Sequence, residues 1–451
     1  MFVLTKLRGI VWGKPAATSA ERRLIVKLDT VILSFCCLMY WVNYLDLFYG
    51  GYVLGQIPNN LALQKLPPRL YFPACMIAWG LLTLGTGLVH HPWQIMILRF
   101  FQAVFESSTF VGCHYILGSW YREDELGKRT AIFTSSGLAG TMFSGFLQGG
   151  IHKSLDGVRG LPGWRWLFII DFCITLPVAL YGFIAFPDTP TSTRAWWLTD
   201  EEKRLAVDRL PEVKKSRGTL GWKLVSRILK TWHWLGFVFL WIFASNTEMF
   251  STNAIMNLWL SSTGDYSVAQ VNYIPTGVAG VGIAATLFLG WYSDFTKRYW
   301  HVGIILSSTA IVSGAIMLQP PTRGAKFFAL FLNGCQYASQ TVLFAWANAV
   351  TREDDAKRAV ILAAMNTFAI AVYMFWSLIF YSATQGPDWM EGSIAMMCMG
   401  ASLFVTTLGV WYLTRRESKT LEVVEASPSS VISNEEKPID GVAGDMKALG
   451  K

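Results

Sequence analysis

Long apolar runs separated by short polar clusters repeat along the chain from Leu28 to Leu413. A helix needs about 20 residues to cross a bilayer core, because each residue adds about 1.5 Å of rise to a layer about 30 Å thick. On that ruler the pattern predicts spans near 70–90, 93–118, 128–151 and 164–186. A second set falls near 231–260, 268–293, 299–319, 325–349, 357–382 and 390–413. The first run, from Leu28 to Gln64, is broken only by Asn43, Asp46 and the pair Gly50-Gly51. It is too long for one crossing and short for two.

Charge settles the count. The N-terminal segment 1–27 is basic (Lys6, Arg8, Lys14, Arg22, Arg23, Lys27), and Lys65 and Arg69 follow the long run. If both basic stretches are cytoplasmic, the run crosses twice, and the later loops then alternate as the positive-inside rule requires. The chain is expected to turn back at Gly50-Gly51, since glycine permits so tight a reversal. Residues 28–186 then hold six spans and residues 231–413 another six. Between them, 187–230 reads as a cytoplasmic linker with a short amphipathic helix, containing Pro187, Pro190 and Glu201-Glu202-Lys203-Arg204. Arg415, Arg416 and Lys419 stop the last span, and the polar tail 414–451 has too few apolar residues to fold. Both termini are expected in the cytoplasm.

Of 451 residues, 53% are apolar and 15% charged, which marks a polytopic membrane protein rather than a soluble domain. The net charge of +8 reflects loops facing an anionic leaflet, so nucleic acid is not an expected partner. All seven cysteines lie in apolar runs and read as reduced, buried thiols. There is no metal-ligand cluster, phosphate loop or nucleophile motif, so neither metal nor cofactor is expected and an enzyme is disfavoured.

The informative charges are those inside spans. In the fourth, Arg99 and Glu106 are seven apart and share a helix face, with Gln102 between them one turn along. Ionised groups at membrane depth are costly and persist where they face a bundle interior or a wet cavity. At about 1.5 Å per residue the two ends of this stripe are about 10.5 Å apart along the axis, too far for direct pairing. Asp46 is a further candidate carboxylate. In the seventh span Asn246, Asn253 and Asn257 share a face, with Glu248 nearby; in the tenth, Asn333, Gln336, Tyr337 and Gln340 do the same. Such amides suit a polar ligand, and they equally serve as interhelical hydrogen bonds of about 1 kcal/mol or less. In the fifth span Gly137, Thr141, Gly145 and Gly149 recur every four residues, a small-residue face that lets a neighbouring helix come close.

Arg122-Glu123-Asp124 followed by Lys128-Arg129 recurs as Arg352-Glu353-Asp354 followed by Lys357-Arg358. The chain therefore reads as two copies of one half. Superposing the copies sets Gln336 opposite Glu106 and nothing charged opposite Arg99. Parallel halves around a polar site are one way to build a transporter.

Several stretches resemble the major facilitator superfamily and, within it, the fungal anion:cation symporters of the allantoate and pantothenate permease type. They are Tyr44-Leu45-Asp46, Gly51 to Asn60, Arg99 to Glu106, Gly163-Trp164-Arg165-Trp166, and Gly290-Trp291-Tyr292-Ser293-Asp294 with Arg298. The resemblance covers nearly everything from Ala20 to Thr420. Phe35 to Asp46 and Gly112 to Arg129 look most like pantothenate transporters. It implies an all-α fold of twelve transmembrane helices in two six-helix pseudo-repeats, acting as a monomer, in the plasma membrane rather than the vacuolar one. It also implies proton-coupled import of a small organic anion, pantothenate first, with allantoate, nicotinate, biotin and small peptides as alternatives. Arg99 would attract the carboxylate, helped by Gln102, Asn246, Asn253, Asn257, Gln336, Tyr337 and Gln340. Glu106, Asp46 or Glu248 would carry the proton. Glu125, Arg129, Asp294, Arg298, Arg352, Asp355 and Arg358 would form cytoplasmic gate bridges, with solvated loop charges as the competing reading. Two features depart from the family pattern. Asp46 runs directly into Leu47-Phe48-Tyr49-Gly50, where the family has an Arg and an outer hairpin, so the first hairpin is shortened and a non-transporting receptor or inactive variant is the rival. Phe295 and Lys297 replace the usual basic residue and glycine after the eighth span.

Overall fold

A computed structural model of the chain describes residues 18–43, 54–55, 58–59, 62–63, 66–210, 222–248, 250, 255–318, 322–351, 355–382, 386 and 388–425. Among them there is no strand. The first crossing combines α1 (Ser19–Leu28) and α2 (Ser34–Asn43), joined by a π-helical turn over Asp29–Leu33. After it come α3 (Pro68–Gly87), α4 (Pro92–Glu106) running into α5 (Ser108–Trp120), α6 (Glu123–Leu155) and α7 (Gly163–Ala185). Two short helices, α8 (Asp200–Asp208) and α9 (Trp222–Leu229), belong to the linker. The second half has α10 (Trp232–Thr247), α11 (Ile255–Thr263), α12 (Val268–Tyr273), α13 (Thr276–Thr296) and α14 (Tyr299–Leu318). It ends with α15 (Arg323–Asn333), α16 (Ala338–Val350), α17 (Asp355–Phe380) and α18 (Met390–Glu425). Eight of the described helical stretches are long and apolar enough to cross a membrane.

One end of the bundle gathers the chain entries and exits. Asp29 meets Arg129 at the start of α6, Arg69 meets Asp188 just past α7, and the Trp120 indole donates to the Asp188 carbonyl. In the second half His233 at the start of α10 meets Glu417 of α18. From this near end α1 and α2 carry the chain past mid-bundle, where the Trp41 ring lies 4.8 Å from that of Phe143. Pro68 is back at the near end. Gly55, Asn59 and Leu63 lie beside Val104, Ser107 and Gly112 of the fourth span. The Gly50-Gly51 reversal falls outside the described residues.

Burial follows the two halves. One core joins Leu28, Phe35, Met39, Phe72, Trp79, Trp120 and Phe133; two others, in the second half, centre on Phe237, Leu306 and Trp346 and on Phe250, Trp259 and Leu330. The cysteines are free thiols, but Cys173 and Cys398 are exposed rather than buried. Both sit on helix faces that turn away from their own bundle. The small-residue face of the fifth span meets the other half: a Cβ on Gly145 would lie 2.6 Å from the Thr276 methyl and 2.8 Å from the Asn272 carbonyl oxygen. Gly149 is pressed as closely by the Tyr273 ring. With Leu138 against Gly282, the seam between α6 and α12–α13 runs from mid-bundle to the far end.

Candidate functional site

The polar stripe of α4 is turned inward. Trp93, Met96, Ile97 and Phe101 form its exposed face, while Gln102, Ala103 and Glu106 are fully buried opposite and Arg99 falls within that buried sector. The stripe does not act as one unit. The Gln102 amide donates to Glu106 at 2.7 Å, whereas the Arg99 guanidinium packs over the Phe168 ring of α7, 4.9 Å from its centroid. Asp171, one turn further along α7, is buried too. The hydropathy pattern passes over it, yet an acidic residue inside the apolar string Ile169-Ile170-Asp171-Phe172 carries the same signal as Arg99.

Immediately after Glu106 the fourth span breaks, with Ser107 separating α4 from α5. Asn59 straps the break, donating to the Val104 carbonyl and the Ser107 hydroxyl, each at 2.6 Å, and accepting from Tyr71. Gly55 sits against the same backbone, where a Cβ on it would lie 2.7 Å from the Val104 carbonyl oxygen. Asn59 lies in the Gly51 to Asn60 stretch, but no spacing rule assigns it this role.

The second half repeats the break at the matched position. Gly334–Tyr337 is a 3₁₀ turn between α15 and α16, and Gln336 is buried there. Gln336 donates to the Leu306 carbonyl at 2.8 Å and to Thr309 at 2.9 Å, and accepts from Thr247 at 2.9 Å. Asn333 donates to the Thr247 carbonyl, and Ser339 donates to Glu248 at 2.6 Å. Gln336 and Glu248 therefore join the seventh, ninth and tenth spans into one buried polar web. Asn246 is buried with its amide on the Ile242 carbonyl, and its oxygen meets no donor among the described residues. Asn257 is committed to the Val271 carbonyl at 2.9 Å, and Tyr337 packs beside Gly282; Gln340 is half-buried. Asp46 and Asn253 lie outside the described residues. Several amides grouped in sequence as ligand contacts are thus occupied by neighbouring helices, the competing reading of that pattern.

The charges at the near end are paired mostly within the first half. Arg129 grips Asp29 with two bonds of 2.6 and 2.8 Å, Glu125 meets Arg209 of the linker at 3.2 Å, and Arg122 meets Glu21. Lys27 reaches Glu202 of α8 at 2.8 Å. Lys128 and Asp294 lie within electrostatic range across the halves. Arg298 is exposed and Arg358 half-buried, while Arg352 and the side chain of Asp355 lie outside what the structure describes.

Residues 41–369 match the family model of the Major Facilitator Superfamily. The chain belongs to this superfamily. As a facilitator, it is 40% identical over 430 residues to a pantothenate transporter of Schizosaccharomyces pombe, covering 88% of this chain and 84% of that one. It is also 40% identical over 437 residues to a pantothenate transporter of Saccharomyces cerevisiae, covering 88% and 85%. Its fold is similar to that of a bacterial homologue of the human lysosomal transporter Spinster, crystallised inward-facing and unoccupied: TM-score 0.56, 13% identity, 89% and 98% coverage. The facilitator fold, all-α and polytopic, is the one its hydropathy and motifs imply.

Proposed function

We propose that this facilitator imports pantothenate, or a closely similar small carboxylate, together with a proton by alternating access. The observation that carries the reading is 40% identity to two pantothenate transporters across most of the chain. The buried stripe of α4 supports it. Arg99 offers a fixed cation to a carboxylate, and Glu106, held by Gln102 next to the helix break, offers a group that can take and release a proton where the span can flex. Inward proton movement supplies about 2.3 kcal/mol per charge per 100 mV, enough to concentrate a scarce nutrient. In this reading the six-span halves 28–186 and 231–413 rock about the seam of α6 with α12–α13, both termini face the cytoplasm, and the plasma membrane is the site of action. Closure along the far half of that seam supports a resting state open toward the termini.

The test is uptake of labelled pantothenate at acidic external pH in cells lacking their own carrier. Glu106→Gln is expected to abolish proton-driven accumulation while keeping exchange of bound substrate. Arg99→Ala is expected to reduce uptake about a hundredfold, as loss of a charge-assisted hydrogen bond of up to 3 kcal/mol allows. Wild-type rates in both variants would remove these residues from the mechanism, and no uptake by the wild type would favour the receptor reading.

A further inference from the structure

At the near end of the second half, away from the α4 stripe, a cavity of about 210 Å³ opens where α13, α14, α16 and α18 leave the membrane. Its walls are unusual for so small a space. Lys297 enters from the α13–α14 connection and Arg415 from α18, so the two cations come from different elements. Between them stand Trp300, Trp346 and Trp411. Trp411 lies 5.1 Å from the Trp300 ring and carries the Arg415 guanidinium 5.6 Å over its face, which aims that cation at the cavity mouth. Lys297 is held in a left-handed backbone conformation (φ 55°), so the connection turns sharply and the 20-residue helix α14 begins at the cavity wall with Tyr299. The first amide groups of a helix lack intrahelical partners and favour an anion.

Tryptophan concentrates where headgroups meet acyl chains, and basic residues at that level attract anionic lipid. The volume admits a phosphate and its flanking ester carbons but not a whole lipid. The exposed apolar side chains Val405 and Tyr412 of α18 and Ile305 of α14 offer acyl chains a path beside it. Asp294, one turn before Lys297, offsets part of that charge, and Arg415 keeps the mouth positive. We propose that this cavity seats the phosphate of an anionic phospholipid from the leaflet on the termini side.

The full-length protein would be reconstituted in nanodiscs of phosphatidylcholine, with and without a minor fraction of phosphatidylglycerol. Retained lipid is read by native mass spectrometry and Tm by intrinsic fluorescence. The wild type is expected to retain phosphatidylglycerol and gain Tm with it. The double variant Lys297→Gln/Arg415→Gln, both exposed positions, should match the wild-type Tm in phosphatidylcholine but retain roughly tenfold less phosphatidylglycerol. Lys153→Gln/Arg159→Gln at the far end should behave as wild type. Equal retention by the near-end double variant would overturn the site. If inorganic phosphate in pure phosphatidylcholine nanodiscs raises the wild-type Tm as much and the double variant ignores it, the cavity binds a soluble phosphate and the lipid source is overturned.

Discussion

Glu106 and Gln336 hold matched positions in the two halves and solve the same local problem with different chemistry. Each sits at a break in the fourth helix of its half, where backbone groups lose regular partners and side chains supply new ones. In the first half Asn59 and Ser107 take that part, leaving Glu106 to pair with Gln102. In the second half Gln336 itself ties three helices with three bonds. Gln336→Ala would therefore remove three buried bonds between helices, leaving Thr247 and Thr309 only the carbonyls of their own helices, at about 0.5–1.5 kcal/mol for each bond lost. A clearly lowered Tm in detergent is the expected outcome, against little change for Gln340→Ala at a half-buried position. A Tm equal to wild type would mean the web is not built as described. The stripe residues themselves were readable because a charge in an apolar run stands out; Asp171 stands out equally. What spacing could not reveal is that Gln102 belongs to Glu106 while Arg99 turns to α7, because a shared helix face does not name the neighbour that meets it.

Among the elements, α6 and α8 show how small sequence features become contacts. On α6 the glycines at 145 and 149 sit where another helix presses, but Gly150 faces open space. Gly145→Ala should lower Tm, since overpacking against the Asn272 backbone and Thr276 costs about 1–3 kcal/mol. Gly150→Ala should leave it level or raise it, because alanine is favoured over glycine in a helix by about 0.5–1 kcal/mol. On α8, Glu202 closes a capping box with Thr199 and also holds Lys27. Partial burial pushes the Glu202 carboxyl up, but the bonds from Lys27 and Thr199 outweigh it and hold the group below its ordinary value of 4.5. A carboxyl with a depressed folded-state pKa contributes stability above its unfolded value and loses it as pH falls through the folded one. Hydrogen exchange in α8 should therefore be faster in Glu202→Gln than in wild type at neutral pH. The difference should vanish once the pH falls well below 4.5; a gap that persists there would show that the Lys27 contact does not hold the helix.

For the whole molecule, the position of the seam decides which end is closed. Phe146 and Tyr273 have ring centroids 5.7 Å apart at the far end of that seam. A cysteine pair at these positions, in a background without the native thiols, is expected to form a disulfide readily in the unliganded protein. Absence of that cross-link would mean the protein rests with the far end parted. The all-α, membrane-spanning character and the superfamily were legible along the chain, because a bilayer imposes one ruler on every crossing and a charge inside it is conspicuous. Tertiary structure alone decided which polar side chains meet each other and which stay available. It paired Arg129 with Asp29 and Glu125 with the linker, spent Asn257 on a neighbouring backbone, and gathered Lys297 and Arg415 around one cavity. Helix periodicity fixes the direction in which a side chain leaves its own axis, but the rotation and neighbours of that axis come from packing among helices far apart in the chain.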